Sequence, residues 1–279
     1  MKLNLRHLVA LPTIFCITFL LTACTTTSPR HFYQTAAKLN LQKNIIHGKQ
    51  FPMIYYAKET TKHTEDLHIY LGGDGTPWLD VMTYSSDPSP SNPLMLQLMQ
   101  MDGTQSLYLG RPCYQGLFST PPCDYFYWTA GRYSRVIVEN MHDAITQLIE
   151  QRGVKRLTLI GFSGGGALAT LLARKIPQTV AVVTIAGLLD TQAWTDLHFY
   201  SPLNGSLNPA MQPPLAKHIR QIHLLGANDK NIPPRIVERF FLQQYKVEKL
   251  LFKQADHSCC WEKHWPTALK KLKNNPQKH

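Results

Sequence analysis

The stretch "LIGFSGGGALAT", residues 159–170, sets four glycines around one serine directly after an apolar run. Glycine costs roughly 0.5–1 kcal/mol relative to alanine inside a regular element, so helix or strand stability does not account for the cluster. It demands a backbone shape, or a close approach, that side chains forbid. A chain built around it needs a strand running into a tight turn and a helix leaving it.

The flanking sequence supplies both. "VKRLTLIGFS" reads as a strand and "GGALATLLARKIP" as a helix ended by proline. Further strands are expected at "FPMIYYA", "LHIYLGG", "SLYLG", "TVAVVTIAG", "IRQIHLLGA" and "VEKLLFK". Helices are expected at "PLMLQLMQM", "YSRVIVENMHDAITQLIEQRG", "PRIVERFFLQQY" and "WEKHWPTALKKLK". Strands alternating with helices predict an α/β class with a mostly parallel central sheet, helices on both faces, and functional groups at the strands' carboxyl ends. The 279 residues, 44% hydrophobic, suffice for one large domain, placed at residues 46–275, and no repeat or low-complexity tract argues otherwise.

Gly161-Phe162-Ser163-Gly164-Gly165 matches G-x-S-x-G, in which a serine on a strained strand-to-helix turn exposes its hydroxyl. The plainer reading is a glycine-rich turn that lets the helix pack closely or cradles an anion at its N-terminus. The first reading requires an acid and then a histidine later in the chain. "LLGANDKNIPP" puts Asp229 just beyond a strand, and "LLFKQADHSCCW" puts His257 in the loop after the next one. His257 would take the proton of Ser163 while Asp229 fixes its tautomer. Asp229 would otherwise cap the helix near Pro233, with Asp190 as the reserve acid; Asp256, adjacent to the histidine, is less well placed. The backbone N–H of Gly164 and one from the "GGDGTP" loop, at Asp74 or Gly73, would form an oxyanion hole, provided that the Asp74 side chain points away from the developing charge.

These segments, with "YLGRPCY", "YWTAGRYS", "SPLNGSLNP" and the G-D-G turn at 73–75, resemble the α/β-hydrolase fold and, within it, a group of bacterial exported hydrolases over roughly residues 50–270. Gly72 stands where such proteins carry a glutamate before the turn. The resemblance implies a serine hydrolase, most simply one that cleaves a small-molecule or lipid carboxylic ester through an acyl-enzyme. Peptidase and thioesterase chemistry are the alternatives, as is a lipid-anchored binding or assembly protein on the same scaffold. The stretch 191–217 is too short for a large cap domain; it forms a small flap whose Trp194, Phe199 and Tyr200 either line an acyl pocket or pack over a long loop. No cofactor is needed. His257, Cys259, Cys260 and His264 offer nitrogen and sulfur ligands, but adjacent cysteines chelate zinc awkwardly and no metal is expected.

The N-terminus reads separately. Lys2, Arg6 and His7 precede the apolar run Leu8–Leu21, which ends in "LTAC" and resembles a lipobox. Residues 1–23 would be a lipoprotein signal peptide, Cys24 the lipidated residue, and 24–45 a tether. Export to the bacterial envelope follows, at the outer membrane facing the periplasm in a Gram-negative cell. Cys113, Cys123, Cys259 and Cys260 would then be disulfide candidates, with three pairings open. The net charge of +11 is diffuse, without the basic run or recognition motif of a nucleic-acid binder.

Overall fold

Side chains alternating between two buried faces set the sheet. In β5 (Arg156–Phe162), Leu157 and Leu159 enter the core on one face and Ile160 on the other. The computed structural model describes residues 29–58 and 64–274, and among these eight strands form one sheet. The others are β1 (Gln42–His47), β2 (Pro52–Ala57), β3 (Asp66–Leu71), β4 (Ser106–Leu109), β6 (Thr179–Ile185), β7 (Arg220–Gly226) and β8 (Glu248–Phe252). Their order is β1-β2-β4-β3-β5-β6-β7-β8; β2 pairs antiparallel with both β1 and β4, and every other pairing is parallel.

The helices are α1 (Arg30–Lys38), α2 (Leu94–Gln100), α3 (Arg135–Arg152), α4 (Gly164–Ala173), α5 (Thr191–His198), α6 (Glu238–Leu242) and α7 (Trp261–Lys273). Buried residues of α3, α4 and α6 share a core with Leu157 and Leu159; those of α1, α2 and α7 pack on the opposite face with Ile160. Ser134 caps α3 by accepting the Ile137 amide, and Gly153 ends it in the left-handed conformation. α4 is buried along its whole length, which its uniformly apolar sequence allows. These features establish the α/β-hydrolase arrangement read from the sequence.

Three expectations are corrected. The segment read as a tether is part of the fold: α1 buries Phe32 against Tyr56 and Tyr108, with ring centroids 5.7 and 5.2 Å apart. The domain therefore begins by Arg30 rather than at residue 46. β1 is an eighth strand, missed because only Ile46 of its six residues is buried, so an edge strand shows no alternation to read. The helix at "PRIVERFFLQQY" is only a 3₁₀ turn, Pro234–Val237, followed by the short α6. The signal segment and Cys24 lie outside the described residues. No helix among the described residues is long and apolar enough to cross a membrane.

Topology fixes where a ligand goes. The chain steps from β3 outward to β4, then crosses back to β5 on the other side of β3. The loops leaving β3 and β5 diverge at this switch point and open a crevice beyond the strands' carboxyl ends. The "GGDGTP" turn and Ser163 occupy those two loops.

Candidate active site

Ser163 stands between β5 and α4 with φ 52° and ψ −121°, a conformation that costs a non-glycine residue on the order of 1–3 kcal/mol. The glycines around it answer the question raised by the sequence. A Cβ on Gly161 would overlap the Gly165 carbonyl, and one on Gly165 would overlap the carbonyls of Leu71 and Gly72. The turn closes only because both side chains are absent.

The two predicted partners converge on the serine. His257, in the loop after β8, has Nε2 3.0 Å from Ser163 Oγ and Nδ1 2.9 Å from Asp229 Oδ2. Asp229 follows β7 and is fully buried; its Oδ1 accepts the amides of Asn231 at 2.9 Å and Ile232 at 2.7 Å. One oxygen thus organises its own turn while the other holds the imidazole. The reserve acid Asp190 is elsewhere: it caps α5 through the Ala193 amide and is gripped by Arg239. Asp256 instead accepts the amides of Ser258 and Cys259. The Trp261 indole donates to the His257 carbonyl at 3.0 Å, tying the histidine loop to the start of α7.

The β3 turn lies against the serine: a Cβ on Gly73 would sit 3.3 Å from Ser163 Cβ. Gly164 opens α4, where amides of the first turn have no intrahelical acceptor. The Asp74 carboxylate is not remote from this point, because a Cβ on Gly164 would overlap it. Its charge is instead outnumbered. Arg111 Nη1 donates to it at 2.7 Å, Arg132 Nη1 at 3.0 Å and the Tyr133 hydroxyl at 2.6 Å, while Tyr114 donates to the Asp74 carbonyl at 3.0 Å. Burial alone would raise the Asp74 pKa, but the two guanidinium groups and the tyrosine hydroxyl hold it below the ordinary carboxylate range. Two buried cations against one carboxylate leave a positive surplus beside the turn, a favourable field for an oxyanion.

Sequence reading singled out neither arginine. The available signal was an arginine inside each of two otherwise uncharged segments, "SLYLGRPCY" and "WTAGRYS". Arg111 sits on a loop stapled by the disulfide Cys113–Cys123, whose first cysteine is fully buried beside Phe51, Tyr114 and Trp128. The other pair closes as a vicinal bridge, Cys259–Cys260, two residues after the histidine. At Gly72 a side chain would crowd the Tyr108 hydroxyl, which lies 2.5 Å from where its Cβ would be.

Ser163 and His257 open into a cavity of about 840 Å³. One wall is apolar, from Phe32, Leu94 and Met95; Leu188, Leu203 and Ile232 contribute elsewhere. Trp194, Phe199 and Tyr200 all line it. Trp194 and Tyr200 also pack on each other at 5.2 Å, and the Trp194 indole and His198 bond Asn231, so the flap is tied to the Asp229 turn.

A family model described as serine hydrolase (FSH1) matches residues 99–266, which include Ser163, Asp229 and His257. The chain belongs to the FSH1 serine hydrolase family. It is an enzyme of that class. Among solved structures the FSH1 chain is similar to an esterase of Pyrococcus furiosus, with a TM-score of 0.60 at 12% identity over 85% of this chain and 91% of the other. It is also similar to an acylaminoacyl peptidase of Pyrococcus horikoshii, with a TM-score of 0.56 at 11% identity over 86% of this chain but only 42% of that one. A puromycin hydrolase gives 0.57 at 18% identity over 83% of this chain and 38% of the other. At such identities the likeness establishes the fold alone. No curated protein sequence matches this FSH1 member.

Proposed function

We propose that the protein hydrolyses carboxylic esters through an acyl-enzyme on Ser163. The observation that carries this reading is the unbroken hydrogen-bonded chain from Asp229 through His257 to Ser163, opening into a largely apolar cavity. His257 Nε2 accepts the hydroxyl proton as Oγ attacks the ester carbonyl, and the imidazolium is stabilised by Asp229. The tetrahedral oxygen is received by the amide of Gly164 and by that of Gly73 or Asp74. His257 then protonates the departing alkoxide, and a water activated by the same nitrogen releases the acid. The apolar walls suit an acyl chain, and a cavity near 840 Å³ falls within the usual range for small-molecule sites, about 300–1,000 Å³.

Rapid quenching of the protein with a short-chain nitrophenyl ester, followed by peptide mapping, should show the acyl mass on the peptide containing Ser163. The corresponding nitroanilide should turn over far more slowly. Equal turnover of the amide would replace the esterase reading with a peptidase one.

The same proposal places the enzyme at the bacterial envelope, exported by residues 1–23 and held by lipid on Cys24. The lipobox-like "LTAC" and the disulfides Cys113–Cys123 and Cys259–Cys260, which suit an oxidising compartment, support it. Cells fed a labelled fatty acid should incorporate it into the wild-type protein and not into Cys24→Ser. Equal labelling of the two would remove Cys24 as the anchor.

A further inference from the structure

Two loops at the cavity rim present large apolar side chains to solvent. In the first, Leu79, Val81 and Met82 are 63%, 93% and 84% exposed; in the second, Phe199 is 96% exposed and Tyr200 55%. The first loop is a built turn. Asp80 Oδ1 accepts the amides of Met82 and Thr83, each at 2.8 Å, and the Leu79 amide donates to the Thr83 carbonyl at 2.8 Å. Asp80, the only charged residue of 78–84, thereby folds back on its own loop and leaves the tip to its apolar neighbours.

Contacts join the two loops. Trp78 bridges to Tyr84, whose ring stacks on Tyr125 at 4.4 Å, and the adjacent Phe126 packs on Gly205, in the coil that follows Tyr200. These two loops and the Tyr84–Tyr125–Phe126 cluster form an apolar belt beside the mouth, with Trp78, Val81, Phe199 and Tyr200 also lining the cavity. Isolated exposed apolar residues are ordinary, but a connected patch around a concave site marks an interaction surface.

We propose that this belt docks the catalytic domain, mouth first, on a lipid bilayer, so that the ester enters the cavity from the lipid phase. The ester part rests on the function proposed above; the docking stands on the belt. Three features select a lipid surface as the occupant. The chain preceding the described residues carries the uncharged apolar run Leu8–Leu21, and it enters the fold at α1, whose Phe32 is itself a cavity wall. Residues 24–29 span at most about 20–22 Å when fully extended, so a chain held at a bilayer near Cys24 keeps the α1 side of the mouth close to it. The basic balance, still +9 without Lys2 and Arg6, draws the protein toward an anionic surface, and the belt mixes aliphatic groups with tryptophan and tyrosine, the side chains that settle at a headgroup boundary.

The test uses the full chain with Cys16 and Cys24 replaced by serine, so that an environment-sensitive dye has one attachment site and no lipid anchor contributes. With Met82→Cys carrying the dye, vesicles of phosphatidylcholine and phosphatidylglycerol should shift its emission to the blue. Lys217→Cys, at the opposite end of the sheet, should show no such shift. In the otherwise native chain, Leu79→Ser with Met82→Ser should lower hydrolysis of a fatty acyl ester dispersed in vesicles by about 10-fold or more, while a soluble short-chain ester is turned over as before. A blue shift at 82 without ester hydrolysis would keep the docking and remove the ester reading. No shift at 82, or equal shifts at 82 and 217, would overturn the docking. So would a shift that needs no vesicles and grows with protein concentration, which would make the belt an interface between copies of this chain.

Discussion

Ser163→Ala is expected to lower kcat/KM for a soluble nitrophenyl ester by about 10⁴-fold or more and to abolish labelling by a fluorophosphonate. On a transition-state scale a 10⁴-fold loss corresponds to about 5.5 kcal/mol, more than any single rim or pocket contact is expected to supply. The variant should remain folded, since it loses only the Oγ–His257 bond and keeps those made by the backbone: the Ser163 amide donates to the Ile185 carbonyl at 2.9 Å, and its carbonyl accepts from Gly166 and Leu188, each at 2.9 Å. A circular dichroism spectrum and urea midpoint near the wild type would therefore accompany the loss. Unchanged ester hydrolysis in that folded variant would sink the catalytic assignment of Ser163. A fluorophosphonate adduct mapped to another serine would move the nucleophile there.

The second large effect is expected from Asp74→Asn. Losing the carboxylate leaves Arg111 and Arg132, 4% and 5% exposed, as buried cations facing a neutral amide. Breaking a buried ion pair from one side destabilises by about 3–5 kcal/mol, a large share of the roughly 5–15 kcal/mol that holds a typical domain. Urea unfolding measures it. The direction of the Asp74 pKa shift adds a second signature. Because the carboxyl is held below its ordinary range, the unfolded chain takes up the proton first on acidification. The stabilisation is complete at pH 7 and is lost as pH falls through the depressed pKa, so wild type and variant should converge toward strongly acidic pH. Tyr133→Phe removes one hydrogen bond to the carboxylate and no charge, and should cost only about 1.5–3 kcal/mol. The Asp74 carboxylate is expected to act by positioning the turn: in a folded Tyr133→Phe protein a displaced turn should appear in kcat more than in KM. An Asp74→Asn protein as stable as the wild type at pH 7 would show that the two guanidinium groups are not held by this carboxylate.

Much of the site was legible because its signals are local or ordered along the chain. The glycine pattern at 161–166 marks a turn that excludes side chains, and the placement of Asp229 and His257 after successive strands follows from parallel topology, which gathers strand ends at one edge of the sheet. The compensation of Asp74 was not legible. Its partners come from 37, 58 and 59 positions away, on the loop after β4 and the approach to α3, and no spacing rule relates them. Nor was the role of residues 30–47, where a short amphipathic helix and a polar edge strand carry too few buried positions to show a period.

The sequence by itself determined the fold class, the strained turn and the order of serine, acid and histidine, because strand and helix periods and glycine's tolerance are properties of adjacent residues. Only the tertiary structure decided which cysteines pair, which acid faces the histidine, and how a carboxylate is tolerated beside Gly164. It also decided that an apolar belt borders the cavity mouth. Each of these depends on distances between residues far apart in the chain, and those distances exist only once the sheet has set them.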